Sequence, residues 1–199
     1  METDLLLGLA AFAFASSVTP GPNNMMLMAS GANFGFRRTL PHMLGVALGF
    51  VAMAVLVGLG LMQVFARWPI LHDILMVVSV AYLLWLAWRI ANAAPKTAEA
   101  GARPMTFLEA AAFQWVNPKA WTMALTAVTV YAPDRSLAAL AAVALIFGAI
   151  NLPSVGSWAA LGVLTRRALT TPARLRLFNR AMALLLVASL WPVLAPSAW

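Results

Sequence analysis

The chain has 199 residues, 63% of them hydrophobic and only 10% charged, with a formal net charge of +7 and no cysteine. A soluble domain carries nearer a quarter charged residues, so this composition excludes an ordinary water-soluble fold. The missing thiols exclude disulfide, iron–sulfur and thiolate–metal chemistry.

Charge-free runs cover 5–36, 40–66, 136–165 and 181–199. Each exceeds the ~18 residues that span a hydrocarbon core, which makes this an integral membrane protein. Helix is the spanning structure, because lipid offers the backbone no partners and the short alternating pattern of barrel strands is missing. Six segments are predicted, near 5–34, 40–65, 69–90, 107–131, 136–164 and 178–197. The acidic start Met1-Glu2-Thr3-Asp4 lacks the basic leader of a signal peptide, so the first apolar run is expected to be retained.

The first segment is interrupted by Thr19-Pro20-Gly21-Pro22-Asn23-Asn24. Two prolines remove backbone donors and Gly21 is a poor helix former, so the helix opens there and frees carbonyls before the break and amides after it. If the break made the segment re-entrant, five spans would remain and the N-terminus would lie inside. The second segment carries Gly45-x-x-x-Gly49 and Gly58-x-Gly60, spacings that allow close helix packing. His42 lies near its start and is read first as structural. The third segment ends in Arg89. Residues 92–106 form the one clear linker and divide the chain into a first unit, 1–91, and a second, 107–199.

The fourth segment holds Asn117-Pro118-Lys119, and Lys119 is the only charged residue between Ala110 and Pro133. A lone cation at that depth costs about 2.5–3.5 kcal/mol on insertion scales. Snorkelling to an interface is the bland alternative, but each end of the segment is about twelve residues away. The fifth segment is softened near its middle by Asn151, Pro153 and Ser154, which either line a cavity or only kink the helix. Basic residues favour the loops near 37–38, 92–106 and 166–176, which are therefore predicted to be cytoplasmic.

Pro118 follows Pro20 by 98 positions, and the same offset lays the second segment over the fifth. Three segments per half make such a repeat inverted in the membrane. The expected fold is all-α, with six transmembrane helices in two inverted three-helix repeats and helices 1 and 4 interrupted. Matched interruptions in two halves point to a transporter site at the midplane. The predicted substrate-binding set is Thr19, Pro20, Gly21, Pro22, Asn23, Asn24, Asn117, Pro118, Lys119, Asn151 and Ser154. No phosphate loop or catalytic constellation is present, and neither enzymatic activity nor a cofactor is expected.

Taken in order, these motifs resemble the LysE/RhtB family of bacterial amino-acid exporters. The resemblance rests on Thr19-Pro20-Gly21-Pro22, on Gly45 and Gly49, on the run Val80 to Arg89, on Asn117-Pro118-Lys119-Ala120 and on Arg176 to Arg180 before a Leu-rich helix. The chain departs from the family pattern at Ala81, where glycine is usual. The resemblance implies efflux of an amino acid or related small metabolite across the bacterial inner membrane, driven by the proton motive force. Protons are thus an expected partner, with Lys119 and His42 the candidate relay, and a homodimer is a further expectation. No nucleic-acid partner is expected.

The charge pattern suggests how a zwitterion would bind. Its carboxylate would meet Lys119 and the amides after Pro22, and its ammonium the carbonyls near Thr19 and Val116 with the asparagine side chains. Three other classes compete. A thiol-based electron carrier needs cysteines. A metal-ion exporter of related architecture wants oxygen or imidazole ligands near the midplane, where this chain offers amides and carbonyls but no acids. A non-transporting scaffold would need no matched helix breaks.

Overall fold

The computed structural model describes residues 3–93 and 103–191, so most of the predicted linker and the last eight residues lie outside it. Every regular element among the described residues is helical. The order is α1 (Thr3–Val18), α2 (Pro22–Phe34), α3 (Phe36–Leu56), a π-helical turn (Val57–Leu61), α4 (Met62–Arg67), α5 (Ile70–Ala91), α6 (Phe107–Phe113), a 3-10 turn (Gln114–Val116), α7 (Pro118–Tyr131), α8 (Leu137–Arg166) and α9 (Pro172–Ala188).

Local chemistry accounts for the starts. Thr106 and Glu109 form a reciprocal capping box at α6, and Arg103 grips the same carboxylate with two bonds of 2.6 and 2.7 Å. Ser136 caps α8 and Thr171 caps α9. Proline opens α2, α7 and α9 at the first helical position, where its missing N–H costs nothing.

Three stretches are long and apolar enough to cross a membrane: Phe36–Arg67, Ile70–Ala91 and Leu137–Arg166. The pair α1 and α2, bent by 53°, makes a fourth if it is one span. The second of these interrupted segments is shorter in its parts, with 7 residues in α6 and 14 in α7.

Several boundaries differ from the sequence reading. Arg37 and Arg38 do not sit in a loop but open α3. Cations at a helix N-terminus work against its dipole, so helix stability does not explain them. The region 166–176 is not one loop either. Arg166 ends α8, and Arg174 and Arg176 belong to the first turns of α9. Pro153 leaves α8 continuous over 30 residues rather than kinking it into two elements. Gly60 adopts φ +110° inside the π-helical turn, so this glycine serves a bend and not a packing face.

The core is organised around α8, which packs against α1, α2 and α3, while α3 packs on α6 and α5 on α9. The α2–α8 crossing is the closest. A Cβ on Gly31 would collide with the backbone carbonyl of Ala159, and one on Gly162 with that of Met28. Small residues on both partners thus bring the two backbones together, as lipid-embedded helices require. Gly45 and Gly49 do the same for α3 against Phe107 and Ala111 of α6. Gly58 instead faces the side chain of Leu140. Buried Phe50, Phe147, Val143 and Ala124 fill the space between the two halves.

Gly162→Val is expected to destabilise the protein by about 1–3 kcal/mol or more through overpacking, seen as a lower unfolding temperature in detergent. Gly148→Ala, whose added carbon has Val51 as its nearest neighbour at 3.7 Å, should keep that temperature or raise it, since alanine favours the helix interior.

Candidate functional site

The site begins with the carbonyls that α1 releases when it stops at Val18. A helix end leaves its last carbonyls without intrahelical donors, and at membrane depth each must find one. Thr19 Oγ1 donates to Ser16 O at 3.0 Å. Asn24 Nδ2 donates to Ser17 O at 2.9 Å and to Thr19 O at 2.8 Å. Trp158 Nε1, reaching over from α8, donates to Val18 O at 3.2 Å. Lys119 supplies the rest. Its Nζ lies 2.7 Å from Thr19 O, 2.9 Å from Thr19 Oγ1 and 3.4 Å from Pro20 O. Lys119 therefore does not snorkel to an interface. It bonds across 100 residues to the other helix break.

The second break is built from its own amides. Asn117 is extended and caps α7, its Oδ1 accepting from Lys119 N at 3.2 Å. Trp121 Nε1 donates back to Trp115 O at 2.9 Å. Val116 ends the 3-10 turn, just before the extended Asn117.

A side-chain pair ties the breaks together a second time. Asn23 Nδ2 donates to Gln114 Oε1 at 2.8 Å, and Gln114 Nε2 donates to Asn23 Oδ1 at 3.2 Å and to Ala110 O at 2.8 Å. Gln114 is fully buried. It was not among the predicted residues, although a glutamine three positions before Asn117 in an apolar run was a readable signal.

Between the breaks lies a small cavity of about 20 Å³, room for about one water. Gly21, Asn23, Asn24, Asn117, Lys119 and Asn151 line it, so six of the predicted residues meet at one place. Thr19 and Pro20 belong to it through their bonds to Lys119, while Pro22 and Pro118 set the starts of the two half-helices. Ser16, Ser17, Phe50, Ala120, Met123 and Val155 complete the walls and were not predicted.

Some polar capacity at the site is unused. Ser17 Oγ is buried without a partner, and the Asn151 side chain makes no hydrogen bond within the described residues. The N–H groups of Asn23 and Asn24 open α2 with no side-chain cap. Ser154 Oγ is likewise buried and unpartnered, but Ser154 does not line the cavity.

His42 is brought to a different place. It is 2% exposed, neither ring nitrogen has a partner among the described residues, and it does not line the cavity. No group of three or more His, Cys, Asp or Glu residues suited to a metal occurs among the described residues.

With two interrupted helices joined through Lys119, the comparison with known proteins becomes specific. The family profile of the LysE type translocator matches residues 14–189. The chain belongs to the LysE type translocator family. A cysteine/O-acetylserine efflux protein of Klebsiella pneumoniae is 30% identical over 172 residues, covering 84% of this chain and 86% of that protein. Proteins of the same description from Escherichia coli K12 and Salmonella choleraesuis are 29% and 30% identical, each covering 94% of this chain and 96% of its own length. No solved structure matches. The family match begins at Phe14 and so takes in both helix breaks and all of the cavity's polar residues.

The Asn23–Gln114 pair should show coupling. Gln114→Leu leaves the half-buried Asn23 amide without its partner and is expected to cost about 1–3 kcal/mol. Adding Asn23→Leu should recover part of that loss, and a double-mutant cycle on unfolding in detergent should return a coupling of about 0.5–3 kcal/mol.

Proposed function

We propose that this protein is a secondary transporter that exports an amino acid or a related small metabolite across the bacterial inner membrane. The observation that carries the reading is the meeting of two interrupted helices, through Lys119, at a cavity lined by neutral amides. Broken helices facing one another near the centre of a bundle make a site for small polar solutes in secondary transporters. The relatives named for cysteine and O-acetylserine efflux support a zwitterionic amino acid as the substrate class.

The helix pairings support an inverted repeat of six spans. Take the first half as α1–α2, α3–α4 and α5, and the second as α6–α7, α8 and α9. Exchanging the halves turns the α1–α2 contact with α8 into the α6–α7 contact with α3, and both are present. The α3–α8 and α5–α9 contacts map onto themselves. In this reading the two halves rock about the cavity, and the basic residues near 37–38 and 166–176 face the cytoplasm.

The site is complementary to a carboxylate on one side. The uncapped N–H groups at the start of α2 and the cation of Lys119 both favour negative charge. Asn117 and Asn151 add neutral donors and acceptors for the rest of the solute. The cavity holds no amino acid at its present size, so loading requires it to open. The proton motive force is the proposed energy source.

Cells loaded with amino-acid dipeptides and overexpressing the protein should release one or a few free amino acids faster than cells lacking it. Lys119→Gln, at equal membrane abundance, is expected to lower that efflux at least about ten-fold. A ten-fold rate loss corresponds to about 1.4 kcal/mol, within what one charged hydrogen-bonding group contributes. Unchanged efflux in Lys119→Gln would remove the lysine from the transport site.

A further inference from the structure

We propose that Lys119 is a tethered stand-in for the substrate's own ammonium group. Its Nζ occupies an oxygen cage at the end of α1, and a primary ammonium from the substrate must displace it to bind. The inference rests on the amino-acid export reading and assigns the cage as the substrate's ammonium subsite.

The geometry supplies the argument. An ammonium carries three N–H donors and no acceptor. Lys119 has three oxygens around it, Thr19 O, Thr19 Oγ1 and Pro20 O, at 2.7, 2.9 and 3.4 Å. All three belong to the break at the C-terminal end of the 16-residue α1, where the helix dipole is negative and favours a cation. No carboxylate among the described residues shares in this. The ion pairs among the described residues are His72 with Asp73 and Arg103 with Glu109. The cage is therefore a cation site made of neutral oxygens, and Lys119 fills it.

The lysine stem blocks the cavity as well as the cage. It passes over Gly21, where a Cβ would stand 2.7 Å from Lys119 Cδ. With the stem in place, the space between the breaks holds about one water. Withdrawal of Lys119 would leave Thr19 Oγ1 and Pro20 O without their cation, leave Thr19 O with Asn24 alone, and widen the cavity together.

An amino-acid ammonium replaces Lys119 like for like, one positive charge and three donors for another. The released lysine is then within a side chain's reach of the carboxylate on the same substrate. A quaternary ammonium has no N–H to give the cage and is excluded by the same chemistry.

The test uses purified full-length protein in detergent, with ethylammonium, tetramethylammonium and propionate as probes and binding read by calorimetry and thermal shift. Lys119→Ala is expected to bind ethylammonium at least ten-fold more tightly than wild type, with tetramethylammonium bound by neither. Lys119→Met, which keeps most of the stem but no charge, should show the same preference, and it serves if the alanine variant does not fold. Gly21→Ala, which pushes the stem aside and retains the charge, should also gain ethylammonium binding. Equal ethylammonium binding by wild type and both lysine variants would overturn the proposal. So would a loss of propionate binding in those variants with no gain for ethylammonium, since Lys119 would then be a carboxylate anchor alone. Amino-acid efflux from wild-type proteoliposomes is measured in parallel. If it is absent while ethylammonium still prefers Lys119→Ala, the export reading fails and the cage stands.

Discussion

The structure depends on one exchange between a cation and a broken helix. α1 ends within an apolar run and releases carbonyls that lipid cannot satisfy. Lys119 carries a charge that lipid cannot solvate. Each is costly alone, and the bonds from Nζ to Thr19 and Pro20 meet both needs at once. The remaining carbonyls draw on Asn24 and Trp158, so the break is closed by side chains from its own second half and from α8. Irregular backbone survives here because protein surrounds it.

The exchange also fixes which elements must be neighbours. Lys119 reaches Thr19 only if α7 starts beside the end of α1, and Asn117 and Pro118 place that start. Trp158 reaches Val18 only if α8 crosses close to the first segment. Gly31 and Gly162 permit that approach, because their backbones stand where any side chain would collide. A polar requirement at the site and a steric one at the crossing thus point to the same arrangement. Such agreement between levels is what lets a sequence specify one fold.

Much of this was legible in the chain, and the reasons are local. Proline at 20, 22 and 118 announces a break wherever it stands in an apolar helix. An isolated lysine in a charge-free run announces a partner. What remained hidden depends on tertiary contact. Gln114 reads as an ordinary polar residue until Asn23 is opposite it. Gly162 has no glycine four positions away, and Gly31 has Gly35 there but with nothing within 4 Å of an added Cβ, so the partner of each is the backbone of the other helix, at Met28 and Ala159 respectively. Helix ends were misjudged near 37 and 172, where basic residues suggested loops although the backbone continues as helix. The prediction that carbonyls near Thr19 stand open for a ligand missed that Lys119 itself would occupy them.

The side-chain bonds that tie α2 to the later helices are of a kind that can be exchanged. α2 is tied to the second half by two amide pairs, Asn23 with Gln114 and Asn33 with Asn179. Their members stand ten residues apart on α2, which is about 15 Å along the helix. A neutral hydrogen bond contributes about 0.5–1.5 kcal/mol net, so either pair can part for little if a substrate or water takes its place. The α2–α8 crossing is different, because its close backbone contact leaves no intermediate separation at which packing is kept. In the proposed cycle, opening is therefore easier at the amide pairs than at the α2–α8 crossing. Lys119, bound to one side and rooted in the other, is the link that such a movement must first release.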